Sequence, residues 1–385
     1  MTPSATLRIG IDATPLLGPR TGIGVYTQRL VQTLPTLEDR PELVATAFTL
    51  RGREALPAAV SGPGSSDATD AATAVTTRAR PVPARLLRAA WARFEAPPVE
   101  WLCGRVDVFH GTNFVLPPTA RARGVVTVHD LCYLRFPDTV SADSLRYREL
   151  VPRSVRRASV VCALSEAMAD EVAAEYRIAR NEIVVTSPGV DTTWFDARAP
   201  DELLRRQLSL PERYLLAVGT LEPRKNLPVL LEALLRLRAT DPDAPALVLS
   251  GPPGWGPSLQ LDRLPAGAVI LTGYLDTTTL QRVVAGAAGL AFPSRYEGFG
   301  IPPLEALACG TPVLAADLPV TREVLANHAT LVTGGDPDSW ADAIARLLAA
   351  PPSAAARQAG QAHARRYSWH ACAAAALTAY RRAAS

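Results

Sequence analysis

Short apolar runs alternate along this chain with segments whose apolar residues recur every three or four positions, and the alternation begins twice, at residues 7–12 and again at 214–219. Residues 7–12 alternate into a buried strand and 214–218 are continuously apolar, as suits strands of a covered parallel sheet, and parallel neighbours need a crossover that is usually a helix. The pattern predicts an α/β fold of two doubly wound, Rossmann-like domains. With 385 residues, 48% apolar and 20% charged, there is enough chain for two cores, and disordered or fibrous classes are excluded. We expect the first domain at residues 1–195, the second at 196–366 and a closing helix at 367–385. Residues 55–84, rich in Ala, Pro, Gly, Ser and Thr around 61–67, read as a surface loop without chemistry.

The densest chemistry lies at residues 293–317. Leu290, Ala291 and Phe292 end an apolar run, Gly298 and Gly300 permit a tight ligand loop, and Pro302 and Pro303 preset a helix that Gly310 and Pro312 stop after about two turns. At that helix start the amides of Phe299, Gly300 and Ile301 lack intrahelical acceptors, so with the helix dipole they favour a phosphate. Glu297 on the loop and Glu305 in the first helical turn flank this point, and a carboxylate accepts well from paired sugar hydroxyls. The residues alone read as a site for a phosphorylated, hydroxyl-rich molecule. The alternative is a glycine-rich turn carrying two solvated acids.

A second strand-to-helix junction, at residues 219–227, carries Arg224 and Lys225, suited to a diphosphate by position and charge. Of the 40 basic residues 39 are Arg, so the sole lysine marks a position that wants a compact ammonium. Gly22 and Gly24 stand in a predicted strand-to-helix loop, which taken alone is a plain turn as readily as a ligand loop. Residues 106–113 and 124–130 read as strands ending near His110 and His129, where ligands gather in open α/β sheets. Five cysteines without short paired spacing argue against a disulfide framework or a zinc site. No acidic metal triad is evident, and neither a metal nor a cofactor is expected.

The first residues lack the charged start and apolar core of a signal peptide, and no later run reaches spanning length, so a cytoplasmic location is expected. A net charge of +3 is too small for a nucleic-acid-binding protein. Between Arg78 and Arg157, however, 14 Arg stand against 7 acids, +7 against −4 for the remainder, which suits an anionic surface or acceptor. Within that window residues 85–94 form a predicted helix with Leu86, Leu87, Ala90, Trp91 and Phe94 on one side and Arg85, Arg88 and Arg93 toward the others. Such a helix either lies on the inner face of a membrane or packs on its own sheet with solvated arginines.

The spacing of Glu297 and Glu305 within Glu-Gly-Phe-Gly-Ile-Pro-Pro-Leu-Glu-Ala-Leu-Ala-Cys-Gly-Thr-Pro-Val closely resembles the glutamate-x7-glutamate signature of retaining glycosyltransferases of the two-Rossmann-domain (GT-B) type. The match is to family 4 of bacterial sugar transferases, mannosyltransferases among them. Pro223-Arg224-Lys225, Thr127-Val128-His129, the glycines at 22 and 24, the Pro-Gly-Val-Asp run at 188–191 and Tyr367-Ser368-Trp369-His370 match the same family, so the resemblance spans essentially the whole chain.

The resemblance implies that the two domains face a central cleft, the first binding the acceptor and the second the nucleotide sugar. It implies that Glu297 contacts the donor sugar and Glu305 the ribose. Lys225, Arg224, the glycine loop of Gly22 and Gly24 and the amides following Gly298 would bind the diphosphate, with Tyr274 beside the base. His129 would stand at the reaction centre, and His110 would line the cleft. One departure is Thr220, where some members place a second phosphate-binding Arg. The implied reaction is metal-independent, retaining transfer of a hexose from a GDP-, UDP- or dTDP-linked donor to a glycan or lipid-linked acceptor. Two alternatives are a nucleotide-sugar epimerase, which needs no acceptor, and a non-catalytic nucleotide-sugar binding protein, which could dispense with His129 and Glu297.

Overall fold

The computed structural model describes residues 6–18, 21–49, 52–61, 75–82, 84–333 and 335–385, without the side chains of 84, 85, 88 and 92. The chain forms two compact units: Met1–Leu131 with Asp143–Gly189 and Ser368–Ser385, and Cys132–Ala142 with Val190–Tyr367.

In the first unit β1 (Arg8–Asp12), β2 (Glu42–Phe48), β3 (Val75–Arg80), β4 (Val108–Gly111), β5 (Arg123–Val128), β6 (Val160–Ala163) and β7 (Ile183–Val185) make one sheet in the order β3-β2-β1-β4-β5-β6-β7. All its pairs are parallel. The strands β4 and β6 are buried along their whole length; β6 is continuously apolar, whereas β4 carries His110 into the core. The helix Trp369–Ala384, capped by the Ser368 hydroxyl, packs against this sheet and against the helix Gly22–Thr33. Its alanines Ala373, Ala376 and Ala379 are fully buried, and only side chains that small allow so close an approach.

The structure departs from three expectations. The stretch 55–84 is not one loop, because it contains the helix Leu56–Ser61 and the edge strand β3; its centre, residues 62–74, lies outside the described residues. Gly22 and Gly24 lie in the first turn of Gly22–Thr33 rather than in the preceding loop, with Thr21 as the cap accepting from the Gly24 amide. In the helix Ala84–Arg93 the apolar side is split. Leu87 and Trp91 are buried, with Trp91 edge-on to Phe48 and donating to the Pro97 carbonyl, whereas Leu86 and Phe94 are exposed.

In the second unit β8 (Tyr214–Val218), β9 (Ala246–Ser250), β10 (Val269–Gly273), β11 (Gly289–Phe292), β12 (Val313–Ala316) and β13 (Thr330–Val332) form a parallel sheet in the order β10-β9-β8-β11-β12-β13. The helices Leu227–Thr240 and Pro337–Ala349 cover one face. Leu230, Leu234, Trp340 and Ile344 close a core with Leu215, Leu247 and Leu249, each such side chain contributing about 1.5–3 kcal/mol on burial. The segment Cys132–Ala142 joins this unit through Thr139, whose carbonyl accepts from Trp255 at 3.0 Å, and through Phe136, 5.1 Å beneath the Arg295 guanidinium. Among the described residues no helix is long and apolar enough to cross a membrane.

Candidate active site

The strand order of the second sheet reverses direction between β8 and β11, so the chain leaves these neighbours toward opposite sides and opens a crevice at their carboxyl ends. Two loops meet there: 219–226 after β8 and 293–300 after β11. Residues separated by about seventy positions are thereby brought together.

The main-chain link is a hydrogen bond from the Arg295 amide to the Arg224 carbonyl, 2.9 Å. Around it four charged side chains alternate in sign. Lys225 Nζ donates to Glu297 Oε1 at 2.7 Å and Arg224 Nη1 to Glu297 Oε2 at 2.5 Å. Arg224 Nη2 donates to Glu222 Oε1 at 2.6 Å, and Nη1 also reaches the Tyr296 carbonyl at 3.1 Å. Burial alone would raise the Glu297 carboxyl, but the charges of Arg224 and Lys225 override it and hold it at about 2. Lys225 lies over the Phe292 ring, 4.9 Å from its centre, and against Gly219, where an added Cβ would stand 3.2 Å from the lysine Cε. Glycine at 219 is thus what lets the ammonium reach the crevice.

Beyond Glu297 the backbone turns at Gly300, whose φ of +91° is one that L side chains rarely adopt, and enters the helix Ile301–Ala308 with prolines at its start. The amides of Phe299, Gly300 and Ile301 have no acceptor among the described residues. Glu305 is the fifth helical residue and so lies in the second turn, not the first as the sequence suggested. Its carboxyl has no hydrogen-bond partner among the described residues. Burial, and then the charge of Asp191, push it up to about 8. The residue is only partly buried and its carboxyl has no internal donor among the described residues, the condition of a group that waits for one. Tyr274, just past β10, is 56% exposed.

In the first unit His129 follows β5 and is buried, with Tyr26 edge-on at 5.3 Å and Phe114 at 5.3 Å. Its Nε2 is 2.6 Å from the Thr112 carbonyl, which can only accept, so the proton sits on Nε2 and Nδ1 keeps its lone pair. Burial lowers the ring to about 4 against the opposing pull of that carbonyl, so it is neutral at pH 7. His110 is placed differently from the sequence expectation. It is fully buried, with Nδ1 2.9 Å from the Tyr380 hydroxyl and Nε2 2.8 Å from Thr127 Oγ1, and serves as a core tie between β4, β5 and the last helix rather than lining an opening. Glu222 is the participant that sequence reading passed over. Its signal was its place two residues before Arg224, in a loop already suspected of binding an anion.

Models of two families, described as "Glycosyl transferases group 1" and "Glycosyltransferase Family 4", match residues 201–365 and 20–194. The chain is 28% identical to O-antigen chain mannosyltransferase B of Escherichia coli, covering 97% of this chain and 100% of that protein. It is 30% identical to O-antigen chain mannosyltransferase RfbU of Salmonella typhimurium, covering 65% and 69%. Among solved structures, Anabaena Alr3699/HepE in complex with UDP-glucose matches with a TM-score of 0.67 at 19% identity over 96% and 98% of the two chains, a likeness of fold. The paired parallel sheets, the family models and the relatives agree: this chain belongs to the group 1 glycosyltransferases of family 4, enzymes of the GT-B fold.

Proposed function

We propose that this enzyme transfers a hexose, with retention and without a metal, from a nucleotide diphosphate sugar to a hydroxyl of a glycan or lipid-linked acceptor. The observation that carries this is the β8/β11 crevice, where a lysine ammonium and three unengaged amides at a helix start are followed, in that helix, by a partly buried carboxyl without a hydrogen-bond partner among the described residues. Cations and amides suit a diphosphate, and Glu305 suits a ribose diol. Tyr274 lies beside the base and Glu297 meets the transferred sugar.

Negative charge builds on the diphosphate as the glycosidic bond breaks, and Lys225 with the amides of Phe299–Ile301 stabilises it as a metal would. Glu297, held ionised by two cations, is a weak nucleophile, which favours attack on the face the diphosphate leaves over a covalent glycosyl intermediate. The first unit is assigned the acceptor, and the open Nδ1 of His129 a hydroxyl on the sugar or acceptor. The helix that begins at Gly22 suits an anion at its start, although its Gly24 amide is already capped by Thr21. The names of two relatives, both O-antigen mannosyltransferases, favour mannose among the sugars, with a GDP, UDP or dTDP carrier, while other relatives are named D-inositol 3-phosphate glycosyltransferases. For a lipid-linked acceptor, peripheral contact with the inner membrane face through residues 85–94 is supported by exposed Leu86 and Phe94, with Arg93 5.8 Å from the Phe94 ring.

The test is a thermal-shift panel of UDP, GDP, dTDP and ADP on the parent and on Lys225→Ala, since a ligand bound only to the folded state raises its apparent stability. One nucleotide should stabilise the parent and lose its effect in the variant. No shift with any nucleotide at saturation would sink the proposal.

A further inference from the structure

We infer that Arg224 is a positioning residue clamped by Glu222, and that Lys225 alone supplies the side-chain cation to the donor diphosphate. This rests on the function proposed above and takes from Arg224 the diphosphate contact that sequence reading gave it beside Lys225.

The two cations are committed differently. The Arg224 guanidinium spends Nη2 on Glu222 and Nη1 on both Glu297 and the Tyr296 carbonyl, while its own main-chain carbonyl accepts from Arg295. Turning it toward a phosphate would strip Glu222, whose side chain is 7% exposed, of its cation, and an unpaired buried charge is costly. Lys225 has three N–H donors, and its one hydrogen bond among the described residues goes to Glu297. When it swings to an incoming anion, Glu297 remains paired through Arg224 and its Oε1 becomes vacant.

That vacancy has a use. An arriving diphosphate would draw Lys225 away and thereby present Glu297 Oε1 to the sugar hydroxyls, while Arg224, tied to both Glu222 and Tyr296, keeps the carboxylate and its loop in place. Glu222 touches no part of the donor and acts through Arg224.

The experiment compares the parent with Lys225→Ala, Arg224→Gln, Glu222→Gln, Glu222→Asp and the double Glu222→Gln/Arg224→Gln variant. Inorganic pyrophosphate and the nucleotide selected by the thermal-shift panel probe binding, and sugar transfer gives kcat and donor KM. Lys225→Ala should weaken pyrophosphate by about 30-fold or more, whereas Arg224→Gln and Glu222→Gln should change it by less than about threefold while lowering kcat by about 100-fold. The double variant should be no slower than either single, because the two act as one unit. Glu222→Asp, which keeps the charge, should fall between Glu222→Gln and the parent in kcat.

Loss of pyrophosphate binding in Arg224→Gln comparable with that in Lys225→Ala would overturn the assignment, as would a parental kcat in folded Glu222→Gln. A parent that binds none of the nucleotides would instead overturn the donor site itself, and this assignment with it.

Discussion

Replacing Glu305 by Gln is expected to stabilise the protein at alkaline pH while removing nucleotide binding. The carboxyl stands at about 8 instead of its ordinary 4.5, through burial first and Asp191 second. At about 1.36 kcal/mol per pH unit that interval corresponds to a ceiling of about 5 kcal/mol, which partial solvent access to the residue reduces toward about 2 kcal/mol. The folded state holds the proton between pH 4.5 and about 8 and the unfolded state does not, so this contribution is complete below 4.5 and is lost as pH rises through 8. Urea unfolding across that range should show the parent weakening relative to Glu305→Gln, and parallel curves would refute the reasoning. Ligand binding supplies a second readout. A ribose diol donates to the ionised form, so at pH 7, where roughly nine-tenths of the carboxyls are protonated, nucleotide binding should release close to one proton. Calorimetry in two buffers of different ionisation heat measures this, and no proton release would count against Glu305 as the ribose acceptor.

Glu297 has the opposite sign. Its folded value of about 2 lies below 4.5, so it contributes about 3 kcal/mol above pH 4.5 that disappears as pH falls toward 2, and Glu297→Gln should flatten that acid limb in an unfolding series. Gly300→Ala puts a Cβ on a backbone with φ +91° and 3.4 Å from the Phe292 ring, at a cost of about 1–2 kcal/mol; a lower Tm with weaker nucleotide binding is expected, and an unchanged Tm would contradict the strain. His110→Leu leaves the Tyr380 hydroxyl unpaired in the core and removes one partner of Thr127, and should cost about 1–3 kcal/mol with donor KM unchanged. A KM defect without a loss of Tm would return His110 to the site.

Most strands were legible because buried parallel strands carry apolar runs; β8, β9 and β11 are plain in the residues, and β1 in the alternation of Leu7, Ile9 and Ile11. β3 was not, because its Val-Thr-Thr-Arg-Ala-Arg sequence lies at a sheet edge that is buried on neither face, and β13 has only three residues. Glu297, Lys225 and the helix amides could be anticipated from loop chemistry and resemblance. Their mutual engagement could not, since it depends on β8 and β11 becoming neighbours across some seventy residues. The misplacement of His110 has a similar cause: a strand-end histidine looks the same in sequence whether or not a distant tyrosine reaches back to it, and Tyr380 is 270 positions away.

The route of the backbone has a practical consequence for engineering. Neither unit is one uninterrupted stretch, since Cys132–Ala142 is lent to the second and Ser368–Ser385 returned to the first. A chimera made by a single crossover near residue 190 would graft a foreign terminal helix onto the first sheet, where Tyr380 must meet His110 and alanines must meet strands. Recombination between family members should therefore exchange the middle of the chain as a cassette and keep both of its ends from one parent.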